Sequence, residues 1–180
     1  MAASSALGWR SHSGWAVFVV ARRPGPAPDV LARGRVDLVK GSLPRQPYHA
    51  IVEGGLSLRA GSALIARVEK AAVTAAIAAT ESAVNDHSVA AVGVVGRNRN
   101  VPDELERILA SHALLHAAEG DLFERALIDA ATHVGLPVLL VEPHGITIGP
   151  ALDGAGKVLG PPWQKDHKHA AAAALAAIRR

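Results

Sequence analysis

The stretch RSHSGWAVFVVA, Arg10 to Ala21, decides how the rest of the chain is read. Residues 13–21 (SGWAVFVVA) open on a polar turn and continue into β-branched and aromatic residues, which reads as a strand. Gly and Pro crowd residues 22–28 (RRPGPAP) into a loop. Residues 29–39 (DVLARGRVDLV) alternate well enough for a second strand, antiparallel to the first across a hairpin-like connection. No acidic residue precedes Asp29. The polar turn before this strand is thus preceded by a cation, Arg10, and by no carboxylate.

Outward from this hairpin the chain changes character. Residues 40–55 carry two prolines and three glycines, with a short third strand expected at Tyr48–Val52. Residues 57–84 are Ala-rich, and Leu64, Val68, Ala71, Ala75 and Ala78 keep a helical stripe. The run VAAVGVV, 89–95, has no polar relief and reads as a strand buried on both faces. Pro102, Asp103 and Glu104 fit a first helical turn, the acids at the positive end of the dipole. That helix extends to His133, with a break expected near Ser111 or Gly120 and Gly135 as terminator. A strand at 136–143, a loop at 144–162 and a closing helix from Trp163 complete the order β-β-(β)-α-β-α-β-α. Hairpin strands followed by strand–helix alternation imply a mixed sheet covered by helices, in one domain spanning 1–180.

Composition sets further bounds. The 180 residues are 49% hydrophobic, enough for one well-buried core. Cysteine is absent, which excludes disulfides and thiolate metal sites. The apolar run Gly14–Ala21 is too short to cross a bilayer. Arg10, Arg22 and Arg23 give the start a composition like a transit peptide, but a strand with Gly/Pro punctuation accounts for it, and the expected location is the cytoplasm. A net charge of +3 and a pI near 9.7 are compatible with a polynucleotide partner.

The segment LGWRSHSGWAVF resembles the first strand of RuvC-type Holliday-junction resolvases, in which a Leu-Gly pair leads to an acid-bearing turn. HAAEGDLFERALIDAATHVGLPVLLVEP is similar to their helix and fifth strand, and KDHKHAAAAALAAI to their closing helix. The resemblance implies an α/β ribonuclease-H-like fold: a mixed sheet, antiparallel early and parallel later, with helices on both faces. It also implies four acids holding two divalent metals for attack on a phosphodiester, chemistry suited to hard ions with oxygen ligands. Here the first acid falls at Arg10 or Ser11, the second at Val95-Gly96-Arg97, the third at Asp166 and the fourth at His169. One acid of four persists, so the standard two-metal site is not intact.

Other residues supply alternative chemistry. His112, His116 and Glu119 are four and three apart, within a sector of roughly 40–60° on one helix face. With Asp166 they make a candidate site for Mg²⁺, Mn²⁺ or Zn²⁺, against the plain alternative of a polar helical stripe. Arg10, Arg97, Arg99 and Lys165 are candidates for nucleic-acid contact; a solvated basic loop is the plainer account of Arg97 and Arg99. The Gly-rich stretch 153–160 lacks the Gly-Lys-Ser/Thr ending of a phosphate loop.

Three functions follow. The first is a RuvC-like domain that associates with DNA or RNA and has degenerate or absent two-metal cleavage. The second is an active metal-dependent hydrolase using Asp166, His169 and Glu119 with His116. The third is a non-catalytic assembly protein on the same scaffold, and a homodimer is expected.

Overall fold

The computed structural model describes residues 4–155 and 159–178, so residues 156–158 of the Gly-rich stretch 153–160 lie outside it. Five strands, β1 (Ser5–His12), β2 (Trp15–Arg22), β3 (Asp29–Asp37), β4 (Val89–Val95) and β5 (Val138–Val141), form one sheet in the order β3-β2-β1-β4-β5. The pairs β1–β2 and β2–β3 are antiparallel, and β1–β4 and β4–β5 are parallel. The mixed sheet anticipated from the sequence is therefore present.

The opening stretch is not one strand but two. It folds into a hairpin in which His12 faces Trp15 across a two-residue turn, Ser13-Gly14. Gly14 takes φ +80, a value that glycine reaches without steric cost. β1 is the middle strand, covered on both faces, so it lacks the alternation of a half-exposed strand. Its odd residues Leu7 and Trp9 enter one core, while Ala6 enters another on the opposite face.

The helices are α1 (Pro47–Glu53), α2 (Leu58–His87), α3 (Leu105–Leu109), α4 (His112–His133), α5 (Pro150–Ala155) and α6 (Lys165–Ala177). The third strand expected at 48–52 is instead α1, begun by Pro47 at a position where proline is tolerated. Tyr48 and Ile51, three apart, bury its inner side. In α2 the buried stripe runs Val68, Ala72, Ala76, Thr80 and Ala83, one position further round than expected after Val68. The helix expected from Pro102 begins only at Leu105 and is broken at Ser111, whose hydroxyl caps α4 by accepting from Leu114 N at 3.4 Å. Gly120 leaves α4 uninterrupted, and Gly135 follows it with φ +73. The segment expected as loop at 144–162 contains α5.

α2 and α4 cover one sheet face and α6 the other. α6 lies unusually close to the strands. A Cβ added to Gly8 would stand 1.8 Å from the Ala170 carbonyl oxygen, and one added to Gly93 would stand 2.2 Å from that of Ala173. Ala170, Ala171, Ala173, Ala174 and Ala177 are all buried. Glycine beneath alanine sets the separation, and the obstacle is rigid backbone.

Gly93→Ala is accordingly expected to lower the unfolding free energy by about 3 kcal/mol, the upper range for overpacking. Gly25→Ala, where nothing lies within 4 Å, should change it by less than about 0.5 kcal/mol. Urea denaturation of both variants measures the contrast.

Candidate functional site

Because β1 and β4 run parallel with Arg10 beside Val95, their C-terminal ends share one edge of the sheet. α6 begins above that edge. Arg10 Nε lies 3.9 Å from Asp166 Oδ1, and His12 Nε2 lies 3.0 Å from Asp166 Oδ2. Alternation places Arg10 and His12 on the α6 side of β1, as it does Gly8. The imidazole of His12 stacks on Trp15 (centroids 4.2 Å apart, planes 15° apart), and the Arg35 guanidinium sits 4.0 Å from the Trp15 ring centroid. Val17 faces Arg35 and Val19 faces Arg33 across the β2–β3 ladder, so both arginines emerge on this face. Trp15, Arg33, Arg35, Gln164, Asp166 and His167 line an open groove there.

Two further histidines stand near the start of α6. His167 is buried and accepts at Nδ1 from Gln164 N at 3.3 Å; burial and nearby Arg33 hold its pKa below the ordinary 6.5, against the pull of Asp166. His169 is likewise buried, and its Nδ1 has no hydrogen-bond partner. Burial first, then Arg10 and Lys165, lower its pKa, while Asp166 opposes them.

The basic loop after β4 is less free than its sequence suggests. Arg99 Nη2 donates to Glu124 Oε1 at 2.6 Å, and Arg97 N donates to Glu124 Oε2 at 3.3 Å. Only 18% of the Arg99 side chain and 7% of the Glu124 side chain are exposed. Glu124, which the sequence did not single out, thus brings a carboxylate from α4 to the end of β4 and meets a guanidinium there.

A second polar cluster lies on the α2/α4 side. His112 and His116 present Nε2 atoms 3.0 Å apart, and His49 of α1 comes in beside them, its ring centroid 4.8 Å from that of His116. Glu119 is 3% exposed, and its Oε1 accepts from His49 Nδ1 at 3.1 Å, Tyr48 N at 3.1 Å and His49 N at 3.3 Å. Burial raises the Glu119 pKa, and the His49 hydrogen bonds oppose that shift. The structure therefore brings His112, His116 and Glu119 together, adds His49, and keeps Asp166 and His169 on the other face of the sheet. Glu119 serves as the partner of His49: the group of residues with converging ligand atoms is His49, His112 and His116.

The sequence matches no protein-family model and no curated protein. Solved structures do resemble the fold. One is the Thermus thermophilus RuvC structure, at TM-score 0.56 and 16% identity, covering 94% of this chain and 90% of that one. Another is T. thermophilus RuvC in complex with Holliday junction substrate, at TM-score 0.58 and 14% identity, covering 95% and 90%. The chain has the RuvC-like, ribonuclease-H-like fold.

The RuvC resemblance read in the sequence implies a pair of divalent metals held by four acids, and the groups gathered at the start of α6 do not form such a set. Asp166 already faces a guanidinium and an imidazole, Glu124 is closed by Arg99, and His169 offers a lone imidazole among cations. A positive side chain within 4 Å of the remaining carboxylate opposes a dication at that point. Among the described residues the sole group able to gather around an ion is the three-imidazole one, and it contains no carboxylate. His49 carried no signal in the sequence, because its partners lie on a distant helix. Reading PYHAIVE as a helix begun by proline would have given α1, but not its neighbours.

Two outcomes follow from this geometry. Removing the guanidinium with Arg99→Ala strands a buried carboxylate and should cost about 3 kcal/mol in denaturant unfolding, the low end for a broken buried pair, since Arg99 keeps some exposure. His169 binds its proton less readily folded than unfolded, so its contribution is present above about pH 6.5 and is lost as pH falls below that value. The melting temperature should therefore fall less on acidification in His169→Gln than in the parent chain, as measured by thermal scans across that range.

Proposed function

We propose that this chain is a nucleic-acid-binding domain on a RuvC-like scaffold, engaging duplex or branched DNA or RNA through its α6-side face without two-metal cleavage. The observation that carries the reading is a row of basic groups around an aromatic ring: Arg10 lies beside Asp166, and Arg35 and His12 pack against Trp15 in the adjoining groove. Guanidinium groups suit phosphate oxygens through their planar fork of donors, and they need no bound ion to do so. Arg33 and Lys165 extend the surface, Lys165 from the first turn of α6. The solved RuvC complex with a Holliday junction supports choosing branched DNA as the first ligand to try. Arg97 belongs to the same edge of the sheet, whereas Arg99 serves mainly to neutralise Glu124.

Binding of this kind is electrostatic, so affinity falls steeply with salt. Fluorescence anisotropy with a four-way DNA junction, a DNA duplex and an RNA duplex of matched length measures it. The expected result is binding at low salt, weakened roughly tenfold or more by Arg33→Glu combined with Arg35→Glu, with the salt slope reduced by about two, one for each guanidinium–phosphate pair removed. In Mg²⁺ or Mn²⁺ the parent chain should cleave the junction no faster than Asp166→Ala. Absence of binding to all three ligands at low salt overturns the reading, and so does metal-dependent cleavage abolished by Asp166→Ala.

A further inference from the structure

We propose that His49, His112 and His116 form a zinc site of three imidazole ligands, with Glu119 as the outer carboxylate that orients His49. The site is independent of the nucleic-acid reading, since it lies across the sheet from the arginine face.

Geometry comes first. One ligand nitrogen from each ring lies within 4.8 Å of the other two. Around a tetrahedral zinc with Zn–N near 2.0–2.1 Å, ligand nitrogens stand roughly 3.4 Å apart. His112 and His116 already present their Nε2 atoms at 3.0 Å, and both are exposed and free to turn about their side-chain torsions. Their spacing of one helical turn on α4 puts both on the same side of the helix. Small rotations bring the three nitrogens onto one ion.

Chemistry then favours a metal over a plain polar cluster. Two Nε2 atoms at 3.0 Å form a hydrogen bond only if one carries the proton, and full protonation of both rings would set like charges against each other. A divalent ion removes that conflict, taking a lone pair from each. His49 is prepared for the same role. Its Nδ1 donates to Glu119 Oε1, which leaves Nε2 as the unprotonated ligand, the arrangement typical of a metal-bound histidine and its outer carboxylate.

Glu119 supplies an independent sign. It is 3% exposed, accepts two backbone N–H groups and one imidazole N–H at Oε1, and has no partner at all for its buried Oε2. Among the described residues its ion-pair partner is an imidazole, in contrast with Glu124 and its arginine. A dication held on the far side of His49 supplies the missing charge through the ring.

The ligand set also selects the ion. Three neutral imidazoles suit Zn²⁺, and also Co²⁺, Ni²⁺ or Cu²⁺, while Mg²⁺ demands oxygen. With two of the three rings exposed, the fourth position opens to water. The ion would tie α1 to α4, segments far apart in the chain, and so stabilise their packing.

The experiment uses the full, tag-free chain, stripped with a chelator and titrated calorimetrically with Zn²⁺ alone, then with Mg²⁺ alone. Expected are about one Zn²⁺ per chain, no comparable uptake of Mg²⁺, and a rise in melting temperature on loading. His112→Asn combined with His116→Asn changes only exposed side chains and should abolish stoichiometric uptake while leaving the metal-free melting temperature unchanged. Glu119→Gln should weaken Zn²⁺ by roughly 10–100-fold. Cobalt substitution of the parent chain, read by visible absorption, reports a four-coordinate site of three nitrogens and a water without any variant. Zn²⁺ uptake equal in parent and double variant, Mg²⁺ bound as tightly as Zn²⁺, or no four-coordinate cobalt spectrum overturns the proposal.

Discussion

The close approach of α6 to the sheet is the constraint on which the rest of the structure depends. Gly8 on β1 and Gly93 on β4 remove the side chains that would otherwise prop the helix away, and the alanines of α6 complete the packing from above. Close packing over such a surface tolerates little displacement, because the obstacles are carbonyl groups rather than flexible side chains. The position of the helix start is fixed as a result. Asp166, one residue into α6, can only lie over the end of β1, and Arg10 and His12 are two and four residues beyond Gly8 on the same side of that strand. The meeting of acid and bases is thus a consequence of backbone proximity set further along the helix.

What that meeting does chemically follows from sign. On the α6 side, the edge of the sheet gathers the Arg10 guanidinium, the imidazoles of His12, His167 and His169, and the Asp166 carboxylate. The basic groups run on to Arg33 and Arg35 on β3, which line the groove beside the start of α6, Arg35 pairing there with Asp37. Under the proposed function, such a surface attracts anions through guanidinium groups.

Much of the fold was legible in the sequence. The run at 89–95 coincides with β4, the antiparallel pair read at 13–21 and 29–39 is β2 with β3, and the long Ala-rich stretch is α2. β1 was hidden for a physical reason. A strand buried on both sides shows no alternation, and SALGWRSH carries glycine, serine and arginine besides, since one face must admit a helix at close range and one end must turn polar. α1 was hidden by Pro47 and by the proline and glycines on either side of it, which announce a loop equally well. At the site level, helical spacing revealed His112, His116 and Glu119 because their relation is local. His49 and the Arg99–Glu124 pair depend on the meeting of separate elements, which no local period encodes.

Three acids close to the sheet share one feature that joins the two faces of the molecule. Asp166 meets Arg10 and His12, Glu124 meets Arg99, and Glu119 meets His49. Burying a carboxylate without compensation is costly, so each has acquired a base at hydrogen-bonding or ion-pair distance. These pairings explain why acids placed close to the sheet edge do not amount to an acidic cradle: each is committed to a local partner, and two of them reach the sheet from α4, on the side opposite α6. They also explain why Glu119 differs from the others. A guanidinium satisfies a carboxylate permanently, whereas His49 does so fully only when its ring carries positive charge or is polarised by a cation on its far nitrogen. The same constraint that makes Arg99 and Arg10 neutralising groups therefore leaves the His49–Glu119 pair as the one whose electrostatic balance a bound ion would complete.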